Sequence, residues 1–192
     1  GTYDRRRPFH KTISPSMDIL VSSNLERLLF YLSDGDCELV AALMGQLADE
    51  GHYQVPSELL EKLHESFACG KADDAETRET IRAAWEDEHV LLDPHTAVAK
   101  HVLDGHARDG VERVCLSTAN PYKFSADVLA ALGHATEGLD GFACMDRLSE
   151  LTGMEPPAQL SSLRNAEERF SDVVTVGGMT SFVEDACARL FA

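Results

Sequence analysis

Leucines recur at helical spacing through the first third of the chain. Leu25, Leu28, Leu29 and Leu32 fall on one face, which predicts a helix over 23–33. Ser23 and Glu26 have the spacing of a capping box at its start, and Asp34-Gly35 ends it. A second apolar stripe, Leu39, Val40, Leu43, Met44 and Leu47, predicts a helix over 36–49. Pro56-Ser57 opens a third, with Leu59, Leu60, Leu63 and Phe67 on its buried side. Residues 71–87 are rich in charge and predict a surface helix around Ile81 and Trp85.

The rhythm then changes. Residues 89–92 form a short apolar run that predicts a strand. Asp93-Pro94 follows, a helix N-cap with proline at the first helical position, and the helix runs to about His106. Residues 111–116 are rich in β-branched side chains and predict a second strand, closed by Ser117-Thr118-Ala119-Asn120-Pro121. A helix follows to about Leu132, and another spans roughly 138–153. Pro156-Pro157 opens a connector with a helical piece near Leu160. Residues 170–176 predict a third strand, and Gly177-Gly178 leads to a last helix ending near Leu190. Strand and helix in alternation are the rhythm of a parallel sheet. The expected fold class is therefore α/β: three helix-rich layers around a mainly parallel sheet. Three strands fall short of the roughly five or six of a typical sheet, which suggests that part of the domain lies outside this chain.

Composition narrows the partners. The 192 residues carry a net charge of −16 and a pI near 4.7. That balance argues against nucleic acid and anionic membranes, where clustered Lys and Arg neutralise phosphates. No apolar run approaches the ~20 residues of a membrane span. Cys37, Cys69, Cys115, Cys144 and Cys187 are odd in number and form no CxxC pair. They read as reduced thiols of a cytoplasmic protein, without a disulfide framework or a zinc site. His101 and His106 are five apart, off the helical spacing for a shared metal, so no metal is expected.

Candidate chemistry gathers at three places. Ser117-Thr118 ends a predicted strand, where ligands of open α/β sheets bind; a plain N-cap by Thr118 or Asn120 explains the same residues. Asp93-Pro94-His95-Thr96 is a similar junction: His95 is a candidate acid or base there, or an exposed residue on a capped helix start. Asn24 and Arg27 sit in the first turn of a helix, whose free N–H groups suit a phosphate; a surface ion pair of Arg27 is the alternative. Gly177-Gly178 reads as a turn. No P-loop, Rossmann fingerprint or Gly-x-Ser-x-Gly elbow is present.

RPFHKTISPSMDILVSSNLERLLF, LLDPHTAVA and VCLSTANPYKF, in that order, resemble three segments of the threonine synthases. The resemblance weakens after about residue 140. It implies a pyridoxal-phosphate (PLP) enzyme of fold type II that converts O-phospho-L-homoserine and water into L-threonine and phosphate. The family's Schiff-base lysine and glycine-rich phosphate loop lie in its N-terminal half, and neither motif is found here. The resemblance thus implies that residues 1–192 are the C-terminal portion of the large domain, with a helical insertion at about 36–88. The N-terminal half would be the missing partner. The isolated chain would then be inactive, hold no stable cofactor and expose a cut face able to self-associate.

Carried over by motif, Thr118 matches the hydroxyl that meets the cofactor's pyridine nitrogen, with Ser117 as the fallback. Asn24 and Arg27 match polar residues near the substrate phosphate. Ser14, Ser16, Met17 and Asp18 match a loop that lines or braces the site. Asp93 and His95 match a motif placed near it. Many relatives have His-Pro where this chain has Asn120-Pro121. Two other readings stand beside this one: a non-catalytic, ligand-binding relative, and a fold type II enzyme for another amino acid.

Overall fold

The computed structural model describes residues 1–106 and 109–191. Two short strands, β1 (Thr2–Asp4) and β2 (His52–Gln54), pair antiparallel with Tyr3 opposite Tyr53. The two rings stack at 5.2 Å, the kind of cross-strand pair that steadies a short ladder. Neither strand was legible beforehand, because each is only three residues long and its partner is about fifty residues away. Gly51, at φ +80°, makes the turn into β2; a Cβ there would meet Arg6 at 3.0 Å.

The predicted helices form. They are α1 (Ser23–Leu32), α2 (Cys37–Asp49), α3 (Ser57–Ser66), α4 (Asp74–Glu88), α5 (Pro94–Gly105), α6 (Ser125–Ala131), α7 (Gly141–Thr152), α8 (Ala158–Ser161) and α9 (Met179–Leu190). The start of α1 differs from the expected capping box: Ser22 is the N-cap, and it makes no side-chain cap bond. The box belongs to α4, where Asp73 and Glu76 satisfy each other's backbone N–H groups. α4 is the surface helix its charges predict, with Glu76, Glu79, Glu86, Asp87 and Glu88 exposed. It packs against α5 and α6, with Thr77, Ile81 and Ala84 buried. Phe67 is exposed because α3 stops at Ser66 and the chain turns extended, off the helical face.

Two compact units divide the chain at Pro157. The first, Gly1–Pro157, holds two packed groups. Leu29, Val40, Leu43, Leu47, Tyr53, Val55 and Leu59 close one under α1, α2, α3 and β2. Ile81, Ala84, Ala97, Val128, Leu129 and Leu148 are buried where α4 meets α5 and α6, and α6 meets α7. The second unit, Ala158–Ala192, contains α8 and α9, and no residue of α9 is buried.

The parallel sheet is not seen among the described residues. At 89–92, His89 closes α4 in the left-handed region and Val90 N–H returns to Ala84 O, so the helix cap takes the backbone groups a strand would use. Residues 111–116 and 170–176 form no ladder. Their apolar side chains lie exposed, and Val114, Leu116, Phe170 and Val173 are three-quarters or more open to solvent. A strand is completed only by a neighbour's N–H and C=O groups, which these segments lack here.

Candidate functional site

Asp93 is the centre of a buried cluster at the start of α5. As N-cap it accepts the N–H of His95 at 2.9 Å and that of Thr96 at 3.4 Å. Its side chain accepts two more hydrogen bonds. His95 Nδ1–H donates to Oδ1 at 3.0 Å, and the Thr96 hydroxyl donates to Oδ2. Asp93, His95 and Thr96 are each at most 4% exposed. His95 is therefore not the exposed residue of a plain capped helix. Its ring lies 4.8 Å from that of Phe124, and its Nε2 accepts the Ser16 N–H at 3.1 Å. An amide can only donate, so Nε2 is bare and the ring proton sits on Nδ1, facing Asp93.

Ser16 belongs to a one-turn 3-10 helix, Pro15–Met17. Asp18 ties the base of that loop by accepting Thr12 N–H and Thr12 Oγ1–H, both at 2.7 Å. These bonds, the amide's first, hold its carboxyl below the usual carboxylate range although burial opposes them. Ser14 is buried, with its hydroxyl 3.1 Å from that of Thr12. Ile13 N–H donates to Asp74, which fastens the loop to the start of α4.

The 117–120 loop reaches the cluster from the other direction. Thr118 N–H donates to Thr96 Oγ1 at 3.0 Å, and the two hydroxyls are 3.4 Å apart. Ser117 and Thr118 are exposed, and the Ser117 hydroxyl turns to Ala119 O at 3.4 Å. Asn120 accepts Tyr122 N–H at 3.0 Å and so caps the 3-10 turn Pro121–Phe124.

Two clefts adjoin these loops. One of about 760 Å³ is lined by Thr96, Lys100, Cys115 and Ser117 among others. The other, about 390 Å³, is lined by Arg7, His10, Thr12, Ser14, Asp18 and Lys71 among others. Both have the volume of small-molecule sites. Lys100 is bound by Glu88 and Asp104, each at 3.1 Å. Burial pulls its pKa down, but those two carboxylates outweigh it and keep the amine protonated, hence a poor nucleophile. Among the described residues, no group of three or more His, Cys, Asp or Glu could hold a metal.

Asn24 and Arg27 lie exposed in the first turn of α1, with the Arg27 guanidinium donating to Asn24 Oδ1. That turn is placed by Tyr3, whose hydroxyl accepts Ser22 N–H at 2.6 Å and donates to Leu20 O at 3.0 Å. No described hydrogen bond joins this pair to the Asp93 cluster. The structure thus brings Ser16 and Thr118 onto one network, puts Asp18 at the base of the Ser16 loop, and leaves Asn24 and Arg27 as a separate pair.

Residues 96–183 match the family described as the C-terminal part of threonine synthase. The chain is 38% identical over 133 residues to threonine synthase-like 1 of Macaca fascicularis, covering 69% of this chain and 18% of that protein. It superposes on threonine synthase from yeast with a TM-score of 0.78 at 30% identity, covering 98% of this chain and 39% of that one. PLP-bound threonine synthase from Brucella melitensis gives 0.73 at 33% identity, covering 90% and 33%. The chain belongs to the threonine synthase family. It spans less than two-fifths of the length of each of these three relatives.

Both solved relatives are threonine synthases, and the one from Brucella melitensis is PLP-bound. The central role of Thr96 is not legible from the LLDPHTAVA motif that contains it. A partial signal was present: an N-cap Asp with a hydroxyl three residues on can satisfy both the helix amide and that hydroxyl. Thr12 and Phe124 had no such local signal. No helix is long and apolar enough to cross a membrane among the described residues, and five cysteines are free.

Proposed function

We propose that this chain is the C-terminal portion of a threonine synthase that converts O-phospho-L-homoserine and water into L-threonine and phosphate. The observation that carries this reading is one hydrogen-bonded cluster. It joins the SPSMD, DPHT and LSTANP segments, which lie up to about a hundred residues apart. Three segments that resemble one enzyme's site are spatial neighbours, as a shared ligand would require.

The residues present suit one side of a PLP molecule. Thr118 is an exposed residue with its amide pinned, which suits a contact of its hydroxyl to the ring nitrogen, with Ser117 as the fallback. When bound, PLP supplies an electron sink for charge that develops on substrate carbon. A neutral hydroxyl at the ring nitrogen moderates that sink, where a carboxylate would hold a full positive charge. Lys100, fixed as an ammonium between two carboxylates, does not suit covalent attachment. We place the anchoring lysine and the phosphate loop in a partner portion of the enzyme, outside this chain. The uncapped first turn of α1, with Asn24 and Arg27, suits the substrate phosphate; Ser16 and Asp18 belong to a loop that lines or braces the site. Residues 36–88, which are α2, β2, α3 and α4, stand as a helical insertion. Free cysteines and net acidity accord with a cytoplasmic enzyme.

The test is phosphate release from O-phospho-L-homoserine, with this chain and with the protein from the longer reading frame side by side. Release by the longer protein alone is the expected result, and Thr118→Val in that protein should lower kcat about tenfold or more. No release by either protein overturns the reading in favour of a non-catalytic relative or a different amino-acid substrate.

A further inference from the structure

The Asp93 cluster holds more than a helix cap requires. An N-cap needs only the aspartate and two backbone amides. Here two buried side chains, His95 and Thr96, extend the cap toward two different loops. The polarity of the line is forced. Ser16 N–H and Thr118 N–H can only donate, so His95 Nε2 and Thr96 Oγ1 accept them, and both side chains in turn donate hydrogen bonds to Asp93. Four hydrogen bonds therefore run without a break from Ser16 to Thr118, through side chains at most 4% exposed. Each end lies beside a cleft. Ser14 and Asp18, flanking Ser16, line the smaller one; Thr96 and Ser117 line the larger.

We propose that Asp93, His95 and Thr96 are positioning residues that lock the 14–18 loop to the 117–120 loop, so that ordering one loop orders the other. The clefts would then be coupled: a phosphorylated amino acid seated beside the first loop steadies the hydroxyl that meets the cofactor ring at the second. The nature of those ligands rests on the function proposed above; the coupling of the loops does not. The coupling follows from a shared carboxylate whose oxygens serve both arms, since residues in one network do not respond independently.

Amide hydrogen exchange on the 192-residue chain tests it, read at Ser16 and Thr118 with Leu43 and Leu129 as core controls. Thr96→Val cuts the arm on the Thr118 side, and His95→Gln cuts the arm on the Ser16 side while keeping an acceptor for the Ser16 amide. Each variant should speed exchange at the far loop by roughly threefold or more. Thr96→Ser, which keeps the hydroxyl, should leave both loops as in the parent chain. The proposal is overturned if each variant speeds exchange only at its own neighbour, or if Thr96→Ser acts like Thr96→Val. Should Thr96→Val lose protection in the core as well, His95→Gln and Thr96→Ser decide by the same criteria. In the PLP-loaded longer protein, His95→Gln should lower kcat for O-phospho-L-homoserine and shift the cofactor absorption. If the parent protein releases no phosphate, the functional reading fails, while the exchange result still judges the coupling.

Discussion

Asp18 shows how a single residue sets conditions on the site. Its carboxylate accepts two hydrogen bonds from Thr12, and the folded state therefore holds its pKa below the ordinary value of about 3.9. A depressed carboxylate contributes stability that is full above the unfolded pKa and is lost as pH falls through the folded one. Asp18→Asn should thus destabilise the chain near neutrality, and the gap from the parent should close as pH falls below about 4. Urea unfolding from pH 6 to pH 2 measures it; a gap constant with pH would show that the charge on Asp18 is immaterial. At this scale Asp93 was legible as a cap, because its amide partners lie two and three residues away. The burial of His95 was not, because Ser16 is 79 residues distant and Phe124 arrives from another element. Thr118 stood out from its motif, but the group that fixes its amide had to be seen.

At the scale of elements, apolar periodicity together with cap and turn signals located every helix of eight residues or more among the described residues, to within about three residues. A helix needs only its own backbone, and its apolar stripe is written in consecutive turns. Leu29 illustrates the weight of such a stripe, being fully buried among Val40, Leu43, Leu47 and Tyr53. Leu29→Ala should cost about 2–5 kcal/mol, whereas Phe67→Ala, just past the end of α3, should stay within about 0.5 kcal/mol. Denaturant midpoints at constant slope separate the two, and equal losses would contradict the packing described. Strands behaved differently. β1 and β2 were too short to predict, and the three predicted strands carry the right side chains without the neighbouring backbone that makes a ladder.

The whole molecule carries a conflict between charge and apolar surface. Its net charge of −16 disfavours self-association through long-range repulsion. Yet Val111, Val114 and Leu116 lie exposed, and the first two line an apolar cavity of about 680 Å³ together with Val98 and Val102. Repulsion falls away as salt shortens its range to about 10 Å at 0.1 M, while apolar attraction does not. Association of this chain should therefore increase with salt, the reverse of an interface held by ion pairs. Sedimentation velocity at low and high salt checks this, and the paired change Val114→Lys and Leu116→Lys should keep the chain monomeric in both. Unchanged association in that variant would place the contact elsewhere.

What the sequence determined by itself was local: the helices, their apolar faces, the caps at Asp93 and Asn120, and the three segments that resemble threonine synthase. All of these depend on residues within a turn or two of each other, or on contiguous motifs. Tertiary structure alone decided which segments meet. It placed Ser16 and Thr118 at the two ends of one buried line through Asp93, and it kept Asn24 and Arg27 apart from that line. It also decided that the β-branched runs stay unladdered among the described residues. Pairing and burial depend on partners distant along the chain, and the geometry of such encounters is not encoded in any short stretch.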